Sequence, residues 1–229
     1  MSFYQTSVGK KVVMAVTGFI FFGFVVVHML GNLQIFLGPE KLNTYAAFLQ
    51  GLGSLLWVFR SVIIISVIWH IWSATEVTLQ SWAARPEGYT VSRYRETTYA
   101  ARTLRIGGPA IGLFIIYHLL HLTTGHLHTN GPGFEATFTL ANGETVVNVY
   151  NNIIYGFQIW WISAVYIATM SLVSLHFYHG LWSMLQTIGV NHPKWNKYRR
   201  AFALLFALFV AGAGISIPAA VLLGVLQPV

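Results

Sequence analysis

Residues 12–30 read VVMAVTGFIFFGFVVVHML, nineteen residues with no charged side chain, one histidine (His28) near the end, and Lys10 and Lys11 just before. About 20 apolar residues in a helix cross the hydrocarbon core of a bilayer. The run is too long for a secretory signal and no small-residue cleavage site follows it, so it reads as a retained span. Four more stretches qualify: Leu55–Leu79, Ile106–Thr123, Ile153–Leu185 and Ala201–Leu226. Composition agrees. Of 229 residues, 55% are hydrophobic and 8% charged, against about 25% charged in a soluble domain. An aromatic share of 15% excludes a disordered chain, which is poor in aromatics. The expected fold is an all-α integral membrane protein with five transmembrane helices, a single domain over 1–229 without internal repeats.

The basic residues sort by side. Lys10 and Lys11 precede the first span, Arg85, Arg93, Arg95, Arg102 and Arg105 lie between the second and third, and Lys194, Lys197, Arg199 and Arg200 lie between the fourth and fifth. Only Lys41 and Arg60 fall on the other side. The positive-inside rule then predicts a cytoplasmic N-terminus and an outside C-terminus. The net charge of +7 thus reports topology and contact with anionic lipid or a cytoplasmic partner, and no nucleic-acid partner is expected. Between the third and fourth spans, Asn142-Gly143 sits among alternating apolar residues from Ala136 to Val147, with Gly131-Pro132-Gly133 upstream. That pattern predicts a small β-hairpin in the outer loop.

Histidine carries the functional signal. The chain has nine His and no Cys, which excludes disulfides, zinc–thiolate sites, cysteine-held iron–sulfur clusters and covalently attached haem. His28 lies on the first span, His70 on the second, His118 and His121 on the third, and His176 and His179 on the fourth. Ionisable residues at membrane depth are rare and point to function. A lone buried His often only hydrogen-bonds a neighbouring helix, but four helices each supplying one suggest a four-helix bundle around a cofactor. Imidazole suits iron. Two His from different helices can clamp a haem from both faces, leaving it to transfer electrons. The helical rise puts His28 about 26 Å beyond Lys11 and His118 about 20 Å beyond Arg105, both in the outer half of the membrane. His70 and His176 fall about 14 Å from the inner ends of their spans. An outer pair and an inner pair follow, and so two stacked haems. Gly18, Gly23, Gly107, Gly108, Gly112 and Gly180 leave room for flat macrocycles or for close helix packing.

These segments resemble the dihaem cytochrome b membrane anchor of succinate:quinone oxidoreductases (respiratory complex II), in its five-helix, single-polypeptide form. The resemblance covers nearly the whole chain. It lies in Ser7-Val8-Gly9-Lys10-Lys11, His28-Met29-Leu30-Gly31-Asn32-Leu33, Asn43-Thr44-Tyr45-Ala46, Arg105 ahead of His118-Leu119-Leu120-His121, and most specifically His176-Phe177-Tyr178-His179-Gly180-Leu181-Trp182. It implies two b-type haems, with His28 and His118 on the outer iron and His70 and His176 on the inner one. It also implies a flavoprotein partner that oxidises succinate in the tricarboxylic acid cycle, and an iron–sulfur partner that passes electrons to this chain from the cytoplasmic side. Membrane quinone, expected to be menaquinone, is reduced, and this chain itself does not bind succinate. The membrane would be a bacterial-type cytoplasmic membrane. Some members place a carboxylate next to the fourth-helix ligand; Ser174 and Leu175 stand there in this chain.

His121 and His179 are then additional, and could bond propionates, water, quinone or a neighbouring helix. His126, His128 and His192 fall in polar segments and are expected at the surface. A quinone site at the inner boundary would draw on Ser7 and Lys10 or Lys11 as donors and on Trp182 as a ring neighbour. The alternatives are the cytochrome b subunit of another quinone-linked complex (a fumarate reductase, hydrogenase or formate dehydrogenase) and a His-relay proton-coupled transporter. The bc-type arrangement of two ligands on each of two helices fits badly. A transporter would need acidic partners or broken helices.

Overall fold

The computed structural model describes residues 2–84, 87, 97–127 and 136–229. Arg85, Arg93, Arg95, His128 and the Gly131-Pro132-Gly133 segment lie outside the described residues. Among the described residues, seven α-helices run in the order α1 (Ser7–Asn32), α2 (Pro39–Gly51), α3 (Ser54–Ala83), α4 (Tyr99–His118), α5 (Val149–Gln158), α6 (Trp160–Thr187) and α7 (Pro193–Leu222). Five are long and apolar enough to span a membrane: α1, α3, α4, α6 and α7. Their starts are chemically marked. The Thr6 hydroxyl accepts from Gly9 N at 2.9 Å, and Thr98 caps α4 through Ala101 N. Pro39 and Pro193 open α2 and α7, where a missing N–H costs nothing.

The stretch read as one span from Ile153 to Leu185 is two helices. At the helical rise those residues would run about 50 Å, well beyond a hydrocarbon core. The break falls at Ile159, whose backbone is extended (φ −77°, ψ 105°). There the Ser163 hydroxyl donates to the Phe157 carbonyl at 2.6 Å, competing with the helical ladder as serine does. The membrane helix therefore begins at Trp160. The preceding α5 is a short, largely buried helix at the end of the bundle. Helix α2 was not expected either; it lies at the same end.

The hairpin forms as expected, with strands β1 (Thr137–Thr139) and β2 (Thr145–Val147) antiparallel and Phe138 opposite Val146. Gly143 takes φ +86° in the connection, a conformation glycine adopts without steric cost. The hairpin docks on α2, where Ala141 N donates to Glu40 Oε1 at 2.9 Å. A second network ties α2 to α5. Asn43, fully buried, donates through Nδ2 to Asn148 Oδ1 (3.3 Å) and accepts from Tyr150 N (3.0 Å). Asn148 also caps α5 by accepting from Asn151 N.

Helices α1, α3, α4 and α6 form a four-membered ring. α1 packs along α3 and α6, and α4 along α6. α4 approaches α3 where Gly112 stands beside Ile71, and where the Arg105 guanidinium lies 5.9 Å from the Trp82 ring. Across the diagonals, α1 faces α4 and α3 faces α6. α7 stands outside the ring on α6, with Gly214 pressed against Met170. One apolar cluster joins α6 and α7 to α1 through Ala15, Met170, Leu181, Phe206 and Val210. Another seals the hairpin end through Ile35, Leu42, Ile154, Phe157 and Ile217. α3 is the least enclosed helix. Only Ser66 and Ser73 are buried on it, while Trp57, Ile65, Trp69 and Trp72 are exposed, as suits side chains that meet lipid tails.

Asn43→Ala should remove two bonds of a buried network, each group left unmatched costing about 1–3 kcal/mol. At about 2–4 °C per kcal/mol for a chain of this size, the detergent-solubilised protein should melt several degrees lower. An unchanged Tm would show that α2 and α5 are held by apolar contact alone.

A candidate paired-histidine centre

The first pair joins α1 and α4, at the hairpin side of the bundle. The His28 and His118 ring centroids are 5.8 Å apart with planes at 85°. Phe24, one turn before His28, stacks on its ring at 5.2 Å. Asn32 Nδ2 lies 3.1 Å from His28 Nε2. On the other side, His118 Nδ1 is 3.3 Å from the Tyr166 hydroxyl on α6. Nε2 of His118 is then the nitrogen left for a ligand.

The second pair joins α3 and α6, nearer the N-terminal end. His70 and His176 have centroids 6.1 Å apart and planes at 61°. Thr17 on α1 holds His70 Nδ1 at 2.9 Å, while its hydroxyl also donates back toward the Val13 carbonyl. That again leaves Nε2 of His70 for a ligand. Nδ1 of His176 is buried without a hydrogen-bond partner among the described residues.

Both pairs sit on diagonals of the ring, and they stand at different heights. Thr17 marks the His70 level on α1, and His28 follows eleven residues later, about 16 Å along the axis. Tyr166 marks the His118 level on α6, and His176 follows ten residues later, about 15 Å. Two helices thus give the same separation. They also exchange roles. α1 supplies His28 to one level and Thr17 to the other, and α6 supplies His176 to one and Tyr166 to the other.

His121 reaches the same Tyr166 hydroxyl as His118. The residues from Leu119 to Thr123 form a π-helical turn, whose i→i+5 ladder is wider than an α-turn. From this turn His121 Nδ1 meets the Tyr166 hydroxyl at 2.9 Å and its ring lies against Gly156. His179 lines a small pocket with Thr98, Tyr178, Trp182 and Arg200. His126 and His192 are exposed; His192 caps α7 by accepting from Lys194 N.

The four quinone candidates are in differing settings. Lys10 is buried and forms an ion pair with Glu76 at 3.0 Å. Ser7 and Lys11 are exposed. Trp182 is flanked by the Arg199 and Arg200 guanidinium groups at 5.9 and 5.2 Å. Tyr166 and Thr17 were missed from sequence. A tyrosine or threonine in an apolar helix is too common to single out, and only the fold brings these two onto imidazoles.

The donor set limits what the pairs could hold. Among the described residues, no three His or carboxylate side chains gather to bind a metal ion. Two imidazoles alone suit a metal that already carries four in-plane ligands, as haem iron does. With metal–nitrogen distances of about 2 Å, imidazoles on opposite sides of one ion place their centroids about 6 Å apart, close to both spacings found. A Cβ added at Gly107, Gly108 or Gly180 would meet nothing within 4 Å, while Gly23 is exposed. One contact stands against the fit. The Asn32 amide occupies Nε2 of His28 and would have to turn aside for that nitrogen to bind iron. No protein-family model, no curated protein and no solved structure matches this chain.

Proposed function

We propose that the chain is the membrane anchor and electron-transfer subunit of a succinate:quinone oxidoreductase. Its four intramembrane imidazoles would hold two b-type haems between an iron–sulfur partner and membrane quinone. The observation that carries the haem assignment is the presence of two diagonal His pairs, each with centroids about one metal-bridged spacing apart, at two levels of one bundle. The succinate-linked assignment, with its flavoprotein partner and menaquinone, is supported by the resemblance of residues 7–11, 28–33 and 176–182 to complex II anchors.

A bound haem supplies a one-electron iron couple. The chain's own side chains supply placement and polarity. His28 and His118 serve the outer site, and His70 and His176 the inner one. Thr17 fixes the orientation of the His70 ring by its bond to Nδ1, which directs Nε2 into the bundle. Phe24 stacks on His28 and Phe21 meets His70 edge-on, giving each pair an apolar neighbour. The quinone site is placed at the N-terminal end near Trp182, Ser7, Lys10 and Lys11, which is the end proposed to face the cytoplasm.

Purification of the chain from membranes tests the assignment. The pyridine haemochrome ratio should be near two haems per chain, and mass spectrometry should find iron–sulfur and flavoprotein subunits alongside. A haem-free preparation would end the proposal, and a ratio near one would remove one pair.

His176→Ala and His70→Ala should each convert the same haem to high spin or lose it, leaving the other low spin; His28→Ala and His118→Ala should act on the other haem. A variant at His121 or His179 that abolishes a low-spin signal, while the His118 or His176 variant keeps it, would reassign that ligand.

Because the chain has no cysteine, topology is open to single-site labelling. Asn142→Cys should react with an impermeant maleimide on spheroplasts, and Lys197→Cys only after lysis. The reverse pattern would invert the proposed orientation.

A further inference from the structure

Tyr166 is placed between two histidines that the chain presents from one helix end. Its hydroxyl lies 2.9 Å from Nδ1 of His121 and 3.3 Å from Nδ1 of His118. The ring has little freedom. Phe157 and Phe114 meet it edge-on at 4.7 and 4.9 Å, and the residue is 4% exposed. His121 is held as firmly. It is 2% exposed, and a Cβ on Gly156 would come within 2.5 Å of its Nε2.

A phenol hydroxyl has one proton to donate and lone pairs with which to accept. Facing two Nδ1 atoms, it can donate to one and accept from the other, and the two arrangements differ in consequence. If Tyr166 donates to His118, the His118 proton sits on Nε2, and that nitrogen is closed to a metal. If Tyr166 accepts from His118 and donates to His121, the Nε2 lone pair of His118 is free. A metal-bound imidazole gives its other N–H to a fixed acceptor. The second arrangement alone frees Nε2 of His118 as ligand while the hydroxyl both accepts and donates. It also places the remaining His121 proton on Nε2, so His121 is turned from a competing ligand into the acceptor that orients the hydroxyl.

We infer that Tyr166 is a positioning residue for the outer haem: it accepts the Nδ1 proton of His118, donates its own to Nδ1 of His121, and thereby decides which of the two histidines ligates. The inference rests on the two-haem assignment proposed above. The π-helical turn at Leu119–Thr123 carries His121, and from it the second imidazole reaches the phenol that His118 also meets.

The test uses the whole complex in membranes, read by optical redox titration and by low-temperature electron paramagnetic resonance. The wild type must first show two low-spin haems; if it does not, the haem assignment fails and Tyr166 is not at issue. Given two haems, Tyr166→Phe should keep both but raise the midpoint potential of the outer one, since an imidazole without an acceptor on Nδ1–H donates less to iron. At the lower end of effects for groups that orient metal ligands, about tenfold, the reduced-to-oxidised ratio at fixed potential would change by that factor, or about 59 mV for a one-electron couple. The inner haem should not move and serves as the internal control. An outer-haem potential unchanged in Tyr166→Phe would overturn the inference. If Tyr166→Phe fails to assemble, His121→Gln decides. Its amide oxygen can still accept the Tyr166 proton, so a low-spin outer haem at wild-type potential is expected. Loss of the low-spin outer haem in His121→Gln would make His121 the ligand and overturn the inference as well.

Discussion

An imidazole inside a bilayer has two nitrogens to satisfy and no water to satisfy them. Much of the polar bonding inside the bundle follows from how that demand is met. His70 rests on Thr17, His118 and His121 share Tyr166, and His28 meets Asn32. None of these partners is a carboxylate, so the bonds can form without introducing a second charge. The histidines that face each other lie on helices that do not pack tightly together. Close packing is left to α1 with α3 and α6, α4 with α6, and α6 with α7.

Enclosure is uneven for the same reason. The hairpin end is closed by α2, α5 and the β-hairpin, bound together through buried asparagines. At the other end the strongest polar contact is the Lys10–Glu76 pair between α1 and α3. Lys10 is buried but the Glu76 side chain is 31% exposed, and a partly solvated pair stabilises weakly. Its value to the fold is register. Together with Tyr4–Ser73 and Thr17–His70, it fixes how far α1 slides along α3, a helix with almost no apolar burial to do so.

The five spans were legible because twenty apolar residues leave a helix no soluble alternative, and the hairpin was legible because Asn142-Gly143 sits between alternating side chains. What escaped reading depends on tertiary contact. The break before Trp160 is made by the Ser163 hydroxyl reaching back to Phe157, with no proline to mark it. Helix α2 is rich in polar residues, Glu40, Lys41, Asn43 and Thr44, because it spans nothing. The two imidazole pairs were readable as depths along four helices, whereas Tyr166 and Thr17 were not, since only the packed bundle brings a hydroxyl to an Nδ1.

Each of α1 and α6 provides an imidazole at one level and the hydroxyl that steadies an imidazole at the other. The two levels therefore share mechanical tolerances. A slide or rotation of α6 that improved the setting of His176 would pull the phenol from His118, and a shift of α1 would disturb Thr17 and His28 together. Divergence in such a bundle has few free rigid-body directions. Sequence drift that retunes one level without the other must proceed by exchanging single side chains, and the helix positions themselves become the slowly changing part of the molecule.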